Sequence, residues 1–373
     1  MIQTAIIYSN GIEEYDFGTG HPFRGNRYKL FIDHLKHYLT EGKDYKLFQA
    51  EYATDEDLLL ICEKEYIEAT REIYKAVHAG IIYPASFTMY QSADNIPYQK
   101  PGKIEEAARL VISQAKLAAD LVQNDTVKKA ISIGGGLHHA KPNFGEGFCL
   151  YNDVSFCANY LLTNYKLEKI LILDTDAHAG NGTCEFFYEE PRVLFIDIHQ
   201  DPRTLYPGTG FIHQIGKGAG EGFTVNIPMP PFAGDKSYEL AFNEIIFPLA
   251  QDFRPQIIIR NGGSDPHYLD QLTNLSLTLQ GFKMIGSKVR KLAELCNDKE
   301  IDLIASGYNQ NILPYAWLAL ISALIDIPLN LPENTESIDK PSDEPLEETT
   351  FIINEIKKTL RGLRGLRGSG LAI

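Results

Sequence analysis

The sequence lacks the features that define several protein classes. Its five cysteines are scattered and form no CxxC pair, so neither a disulfide framework nor a thiolate zinc site is expected. No apolar run reaches the roughly 18 residues of a membrane-spanning helix. The N-terminus, MIQTAIIYSNG, has too short an apolar run for a signal peptide and no basic leader. We therefore expect a cytoplasmic protein that has no membrane partner.

Positive charge is also scarce. The 373 residues carry a net charge of −14, which argues against a phosphate-neutralising surface and so against direct binding of nucleic acid. Such an acidic surface weakly favours a cationic substrate. With 44% hydrophobic and 23% charged residues, the composition is that of an ordinary soluble enzyme with a sizeable core.

Short β-branched runs in the second half of the chain predict a parallel sheet. Each of five runs ends in a loop rich in Gly, Asp, His or Asn: KKAISIGGG, KILILDTDAH, RVLFIDIHQD, FTVNIPMP and PQIIIRNGGSD. Helical patterns occur at about 28–39, 53–77, 104–122, 152–164, 237–253 and 278–295. Continuous apolar strands that alternate with helices are typical of an α/β fold, so we expect a single doubly wound, mostly parallel sheet flanked by helices.

The expected domain organisation is one catalytic domain followed by a short C-terminal extension. The sheet and its helices are assigned to residues 1–330. The acidic, proline-containing segment 331–348 has no aromatic residue and predicts a solvated linker. Residues 349–373 predict one amphipathic helix and a disordered basic tail, for which nucleic-acid binding is the less favoured interpretation.

Polar side chains follow several predicted strands, at the edge of a parallel sheet where ligands bind. Asp174, Asp176 and His178 alternate onto one side of an extended chain after KILIL. Buried without partners they would destabilise the fold, and a divalent cation removes that cost. We predict Asp176, His178 and the remote Asp265 as ligands of a catalytic Zn²⁺, with Fe²⁺ or Mn²⁺ as the competing ions. The competing interpretation is that these acids only cap helices or loops.

Two adjacent histidines, His138 and His139, follow three glycines in SIGGGLHHA. A buried strand does not require this combination, and neither does a solvated loop. Asp174 stands beside the predicted metal ligands, where a carboxylate commonly accepts a hydrogen bond from an imidazole. We predict that one of the two histidines is that imidazole.

Together these motifs resemble the histone deacetylase and acetylpolyamine amidohydrolase superfamily, which has an arginase-like α/β fold. The resemblance covers most of residues 5–330. Its segments follow in the family's order: GHPFRGNR, GGLHHA…GEGFCLYNDV, DTDAHAGNGT, LYPGTG, GGSDPHYLDQLTNLSLT and SGY. The resemblance implies hydrolysis of the amide bond of an acetylated amine, with Zn²⁺ held by the three predicted ligands.

The resemblance also implies roles for residues around the metal. His139 would be the general base that takes a proton from water, and His138 with Asp174 an electrostatic or general-acid partner. Tyr308 would donate a hydrogen bond to the oxyanion, although an aromatic packed at a strand end is the plain interpretation in a chain with 20 tyrosines. Arg27 matches the arginine of an internal exit channel.

A narrow rim around an aliphatic acyl-lysine stem is implied by two aromatic residues. These are Phe148 and Tyr206, with Gly147 as the backbone wall, and core packing is the competing interpretation for the aromatics. Asp94, or the adjacent Asn95, falls near the acid that grips the substrate backbone in deacetylases.

The chain departs from the family pattern in the segment before Tyr308, at Asn181 and at Asp197, and also at Ala179, where many members have a second histidine. Residues 304–308 read Ile-Ala-Ser-Gly-Tyr where members often have four glycines before the tyrosine, which puts the exit route in doubt. Asn181 stands where some members have Asp, so the partner of His139 would be a neutral amide. Asp197 replaces a common serine near a site for K⁺, and it therefore predicts a monovalent cation there. The other members of that site would be Asp174, Asp176 and His178.

The resemblance implies that the substrate is an acetylated lysine or a small acetylated amine. Leu272 lies near the position where polyamine-specific members carry an acidic gatekeeper, which favours acyl-lysine over acetylpolyamine. The competing functions are those of an inactive homologue that binds acyl groups and of an arginase-type ureohydrolase. The ureohydrolase needs additional Asp and His ligands for two manganese ions, and the DxDxH order with Tyr308 argues against it. The sequence leaves the oligomeric state of the protein open.

Overall fold

The computed structural model describes residues 3–81, 86–332 and 344–367, with side chains through residue 362 in the last range. Its strands are β1 (Thr4–Ile7), β2 (Lys46–Phe48), β3 (Lys129–Ile133), β4 (Ile170–Asp174), β5 (Val193–Gln200), β6 (Thr224–Met229), β7 (Ile257–Gly262) and β8 (Glu300–Ile304). They form one parallel sheet in the order β2-β1-β3-β8-β7-β4-β5-β6. The predicted α/β class with a parallel sheet is confirmed.

Helices separate most of the strands. Those described are α1 (Asn26–Tyr38), α2 (Asp55–Leu58), α3 (Lys64–His78), α4 (Phe87–Tyr90), α5 (Ile104–Gln123), α6 (Asp153–Thr163), α7 (Asn181–Phe187), α8 (Asp235–Ala241), α9 (Phe247–Phe253), α10 (Leu279–Ala293), α11 (Leu313–Leu324) and α12 (Leu346–Arg367). A π-helical turn, Phe242–Ile246, joins α8 to α9, so the helix predicted over 237–253 consists of three consecutive helical segments.

The chain divides into two compact units. The first comprises Met1–Leu167, Asn181–Phe186 and Ile301–Ala305, and it carries β1, β2, β3 and most of β8. The second comprises Glu168–Gly180, Phe187–Glu300 and Ser306–Ile373, and it carries β4 to β7. The assignment of residues 1–330 to one catalytic domain stays a prediction.

The strands of the second unit are buried along their whole length, which explains their continuous apolar sequences. β4 lies between β5 and β7, and its last residue, Asp174, is in register with Asp197 on β5 and Asn261 on β7. Because these strands are parallel, the loops that follow β4 and β7 leave the sheet side by side. That arrangement positions the candidate metal ligands.

The helix predicted over 53–77 is wrong, because the structure has two helices there. Thr54 caps α2: its hydroxyl accepts from Asp57 N, and the Asp57 carboxylate accepts from Thr54 N. The chain then turns, and Glu63 N donates to Pro142 O at 2.8 Å before α3 begins. A hydrogen bond to a residue far along the chain cannot be foreseen from local helical periodicity.

The C-terminal helix α12 begins at Leu346, inside the segment predicted to be a linker. Just before it, the Glu344 carboxylate accepts from Ser237 N at the start of α8. The helix packs against β6 and α8, and its buried apolar residues include Ile352, Ile353, Ile356 and Leu360. Residues 333–343 of the predicted linker and 368–373 of the predicted tail lie outside the described residues. Over the described part of the chain, no helix combines the length and apolarity needed to span a membrane.

Candidate active site

A buried cluster of two carboxylates and one imidazole lies where β4 and β7 end. One ligand atom from each of Asp176, His178 and Asp265 lies within 4.8 Å of the others. The Nδ1 atom of His178 is 3.1 Å from Asp176 Oδ1 and 3.0 Å from Asp265 Oδ2. The structure therefore brings together the three residues that the sequence predicts as metal ligands.

The charges of this cluster fit a divalent cation. Burial, and next the charge of Asp176, raise the pKa of Asp265 to about 8. Burial alone would lower the pKa of His178, but its hydrogen bonds to Asp176 and Asp265 raise that pKa to about 10. Two buried carboxylates this close are therefore both ionised only when positive charge lies between them. One nitrogen with two oxygens is a donor set that suits Zn²⁺, Fe²⁺ or Mn²⁺.

Asp174 supports the loop that carries two of these ligands. It is fully buried, and its carboxylate accepts from Asp176 N at 3.1 Å and from Asn261 Nδ2 at 2.8 Å. Gly262 has a φ of +139°, and a Cβ there would lie 2.8 Å from Thr175 Oγ1. Glycine is therefore required for the end of β7 to approach the loop after β4. The predicted pairing of Asp174 with a histidine stays a prediction.

Two polar side chains for which the sequence gives no site signal, those of Ser306 and Asp270, anchor Asp265 and Tyr308. The Ser306 hydroxyl donates to Asp265 Oδ1 at 2.6 Å. The Asp270 carboxylate accepts from Tyr308 N at 2.7 Å, and Tyr308 itself is half-buried. The backbone of Tyr308, the predicted oxyanion donor, is therefore held in place.

The two adjacent histidines contact each other in the first unit. The Nε2 atoms of His138 and His139 are 3.1 Å apart, and both residues are buried. His139 Nδ1 lies 2.7 Å from Asn181 Oδ1, and Asn181 Nδ2 donates to Glu146 Oε1 at 2.8 Å. The neutral amide partner predicted for His139 is confirmed. The amide oxygen accepts from Nδ1–H of neutral His139, which leaves the Nε2 atom as the basic nitrogen.

Asn152 and Asp153, at the start of α6, fix the backbone of residues 136–140, which is the loop that carries the two histidines. Asn152 Nδ2 donates to His138 O and Ala140 O, the carbonyls on either side of His139, each at 3.1 Å. The Asp153 carboxylate accepts from Gly136 N and Leu137 N. Burial raises the pKa of Asp153 to about 7, although these N–H groups act in the opposite direction. Nothing in the local sequence around Asn152 and Asp153 predicts these contacts, because their partners lie 12 to 17 residues earlier in the chain.

The turn after the histidine loop brings Gly147 against the imidazole. A Cβ at Gly147, whose φ is +62°, would lie 2.2 Å from His139 Cδ2. The Asp94 carboxylate accepts from Gly147 N at 2.8 Å. Phe148 is half-buried, and the ring of His21 meets it edge-on at a centroid distance of 4.8 Å. Asp94 thus fixes this turn; its predicted grip on substrate stays a prediction.

Two of the predicted rim residues are exposed. Tyr206 is 41% exposed and Leu272 is 37% exposed, so neither is part of the core. Arg27 is buried, and its guanidinium donates to Ala305 O at 3.1 Å and to Pro22 O at 3.1 Å. Its assignment to an exit channel stays a prediction.

Asp197 has partners that the sequence analysis did not identify. Its Oδ2 atom accepts from Gly180 N at 2.9 Å, and its Oδ1 atom lies 2.9 Å from His199 Nδ1. The Nε2 atom of His199 is 2.9 Å from Gly210 O. The Asp197 side chain thus connects the loop of the candidate metal ligands to the loop that follows Tyr206. The monovalent-cation site stays a prediction.

Comparisons with known proteins agree on one family. Residues 21–324 match the family model of the histone deacetylase domain. The chain is 35% identical over 332 residues to the acetoin utilization protein AcuC of Staphylococcus aureus (strain COL), covering 88% of this chain and 83% of that protein. It is 34% identical over 364 residues to a probable deacetylase of Archaeoglobus fulgidus, covering 95% of this chain and 97% of that protein.

A solved structure supports the fold alone. The crystal structure of the HDA15 HD domain matches with a TM-score of 0.81 at 24% sequence identity, covering 97% of this chain and 96% of that chain. The family match spans most of the chain and contains the histidine pair, the candidate metal ligands and Tyr308. The protein therefore belongs to the histone deacetylase family.

Proposed function

We propose that this chain is a zinc-dependent amidohydrolase that removes an acetyl group from a lysine-like amine. The observation that carries the proposal is the buried Asp176, His178 and Asp265 cluster, whose ligand atoms lie within 4.8 Å of one another. When bound, zinc lowers the pKa of water to about 7 and polarises a carbonyl.

The protein's own residues supply the proton transfers. The Nε2 atom of His139 accepts a proton from the attacking water, because Asn181 keeps the other ring nitrogen protonated. His138, 3.1 Å away, supplies the electrostatic or acid partner. The hydroxyl of Tyr308 donates a hydrogen bond to the developing oxyanion. One such donor typically contributes about 10²–10³-fold to the rate.

The substrate is an acetylated lysine side chain, with a small acetylated amine as the second candidate. The apolar and exposed Leu272 supports the first, because a cationic polyamine stem would be held better by a carboxylate. Comparing turnover of an acetyl-lysine peptide with that of acetylputrescine tests this choice. Faster turnover of acetylputrescine would reverse the order of the two candidates.

The experiment that tests the reaction combines metal analysis with one variant. Purified protein is expected to bind one zinc ion and to release acetate from the peptide. Tyr308→Phe is expected to keep the zinc and to lose about 10²–10³-fold in kcat. Tyr52→Phe, at a half-exposed tyrosine outside the site, is the matched control and is expected to turn over normally. Unchanged turnover in Tyr308→Phe would refute the assigned role.

A further inference from the structure

The carboxylate of Asp265 divides its two oxygens between different partners. Oδ2 faces the other two candidate metal ligands and lies 3.0 Å from His178 Nδ1. Oδ1 accepts a hydrogen bond from the hydroxyl of Ser306 at 2.6 Å, and the two residues are 41 positions apart in the sequence. The position of the ligand oxygen is therefore set from behind by a side chain that does not belong to the ligand set.

Ser306 is itself fixed on several sides. Its carbonyl oxygen accepts from Ser264 N at 2.9 Å and from the indole N–H of Trp317 at 3.1 Å. Trp317 is fully buried, and Ser306 is 8% exposed. A Cβ at Gly263 would lie 2.3 Å from Ser306 Oγ, so a glycine at that position leaves the space that the hydroxyl occupies. The donor thus stands on a rigid frame.

We infer that Ser306 is a positioning residue of the metal centre, whose hydroxyl orients the Asp265 carboxylate and strengthens zinc binding. The inference rests on the proposed function, because it assumes that Asp265 is a zinc ligand. The outer hydrogen-bond partner of a ligating carboxylate limits the rotation of that ligand and satisfies its second oxygen, and loss of such a partner typically costs about 10–100-fold in metal affinity or activity. The chain departs from the family pattern here, where many members have glycine before the Gly-Tyr pair.

The test is the zinc affinity of metal-free protein, measured by competition with a chromophoric chelator. Ser306→Ala and Ser306→Gly both remove the donor, and the glycine variant also leaves no methyl group in the space. Each is expected to bind zinc about 10–100-fold more weakly than the wild type. Ser322→Ala is the matched control, because Ser322 is also buried but donates within α11 to Ala319 O at 3.0 Å, and its zinc affinity is expected to stay unchanged.

The outcomes separate this inference from the proposed function. Thermal unfolding of the metal-free proteins identifies a folded variant, and either Ser306 variant that folds is sufficient for the test. A folded variant that binds zinc as tightly as the wild type would overturn the positioning role while leaving the proposed function intact. A wild type that binds no zinc would instead contradict the proposed function itself.

Discussion

The Nδ1 atom of His139 lies 2.7 Å from the side-chain oxygen of Asn181. The amide of Asn181 is oriented by its second hydrogen bond, in which Nδ2 donates to Glu146 Oε1 at 2.8 Å. That bond determines which end of the amide faces the imidazole, so His139 meets a neutral acceptor. A base with a neutral partner holds its extra proton less strongly than a base beside a carboxylate.

The Asn181→Asp variant should lose activity at the acidic end of its pH range. A carboxylate next to His139 favours the charged imidazolium, which cannot accept a proton from water. The acidic limb of the kcat/KM profile is therefore expected to move to higher pH by about one unit or more. Asn330→Asp, which adds the same charge at an exposed position, should leave the profile in place. A profile that does not move in Asn181→Asp would contradict the assignment of His139 as the base.

Two asparagines, one that caps α6 and one within it, allow an effect on the position of the histidine loop to be separated from an effect on the stability of the fold. Asn152 caps the N-terminus of α6 and donates to the carbonyls of His138 and Ala140. Asn159 lies within α6 and donates to Leu60 O at 2.7 Å. Each change to alanine should lower the free energy of unfolding by about 1–3 kcal/mol. Only Asn152→Ala should also lower kcat, because only that variant releases the histidine loop. Equal kcat values in the two variants would refute the positioning role of Asn152.

Zinc should stabilise the folded protein against heat. A ligand that binds only the folded state adds about 2.7 kcal/mol at 100 times its dissociation constant. We expect Tm to rise when zinc is added to metal-free protein and to fall again with a chelator. In Asp176→Ala the same addition should leave Tm unchanged, because one of the three proposed ligands is missing. An equal rise of Tm in that variant would place the bound zinc elsewhere.

The role of Asp94 can be determined by comparing the turnover of two substrates. Its carboxylate holds Gly147 N at 2.8 Å, and Gly147 lies against His139, so Asp94→Ala should disturb the turn for every substrate. We expect kcat/KM to fall by about tenfold or more for both an acetyl-lysine peptide and acetylputrescine. A loss confined to the peptide would show instead that Asp94 acts by gripping the peptide backbone.

The fold and the clustering of Asp176, His178 and Asp265 could be predicted because both follow from short stretches of sequence. Apolar runs such as KILIL define buried strands, and acids that follow them stand out as chemically costly unless they bind a cation. The supporting contacts could not be predicted in this way. Ser306 reaches Asp265 across 41 residues, and the break before α3 depends on the bond from Glu63 to Pro142. Such pairs are specified by tertiary packing and carry no local signal.

The C-terminal helix has a practical consequence for anyone who shortens the chain. Trimming at residue 330, where the sequence suggests that the catalytic part ends, would remove α12 and uncover its apolar contacts with β6, the outermost strand at one end of the sheet. An uncovered outer strand is a template for pairing with another molecule. The trimmed protein should accordingly self-associate and scatter light at concentrations where the full chain stays clear.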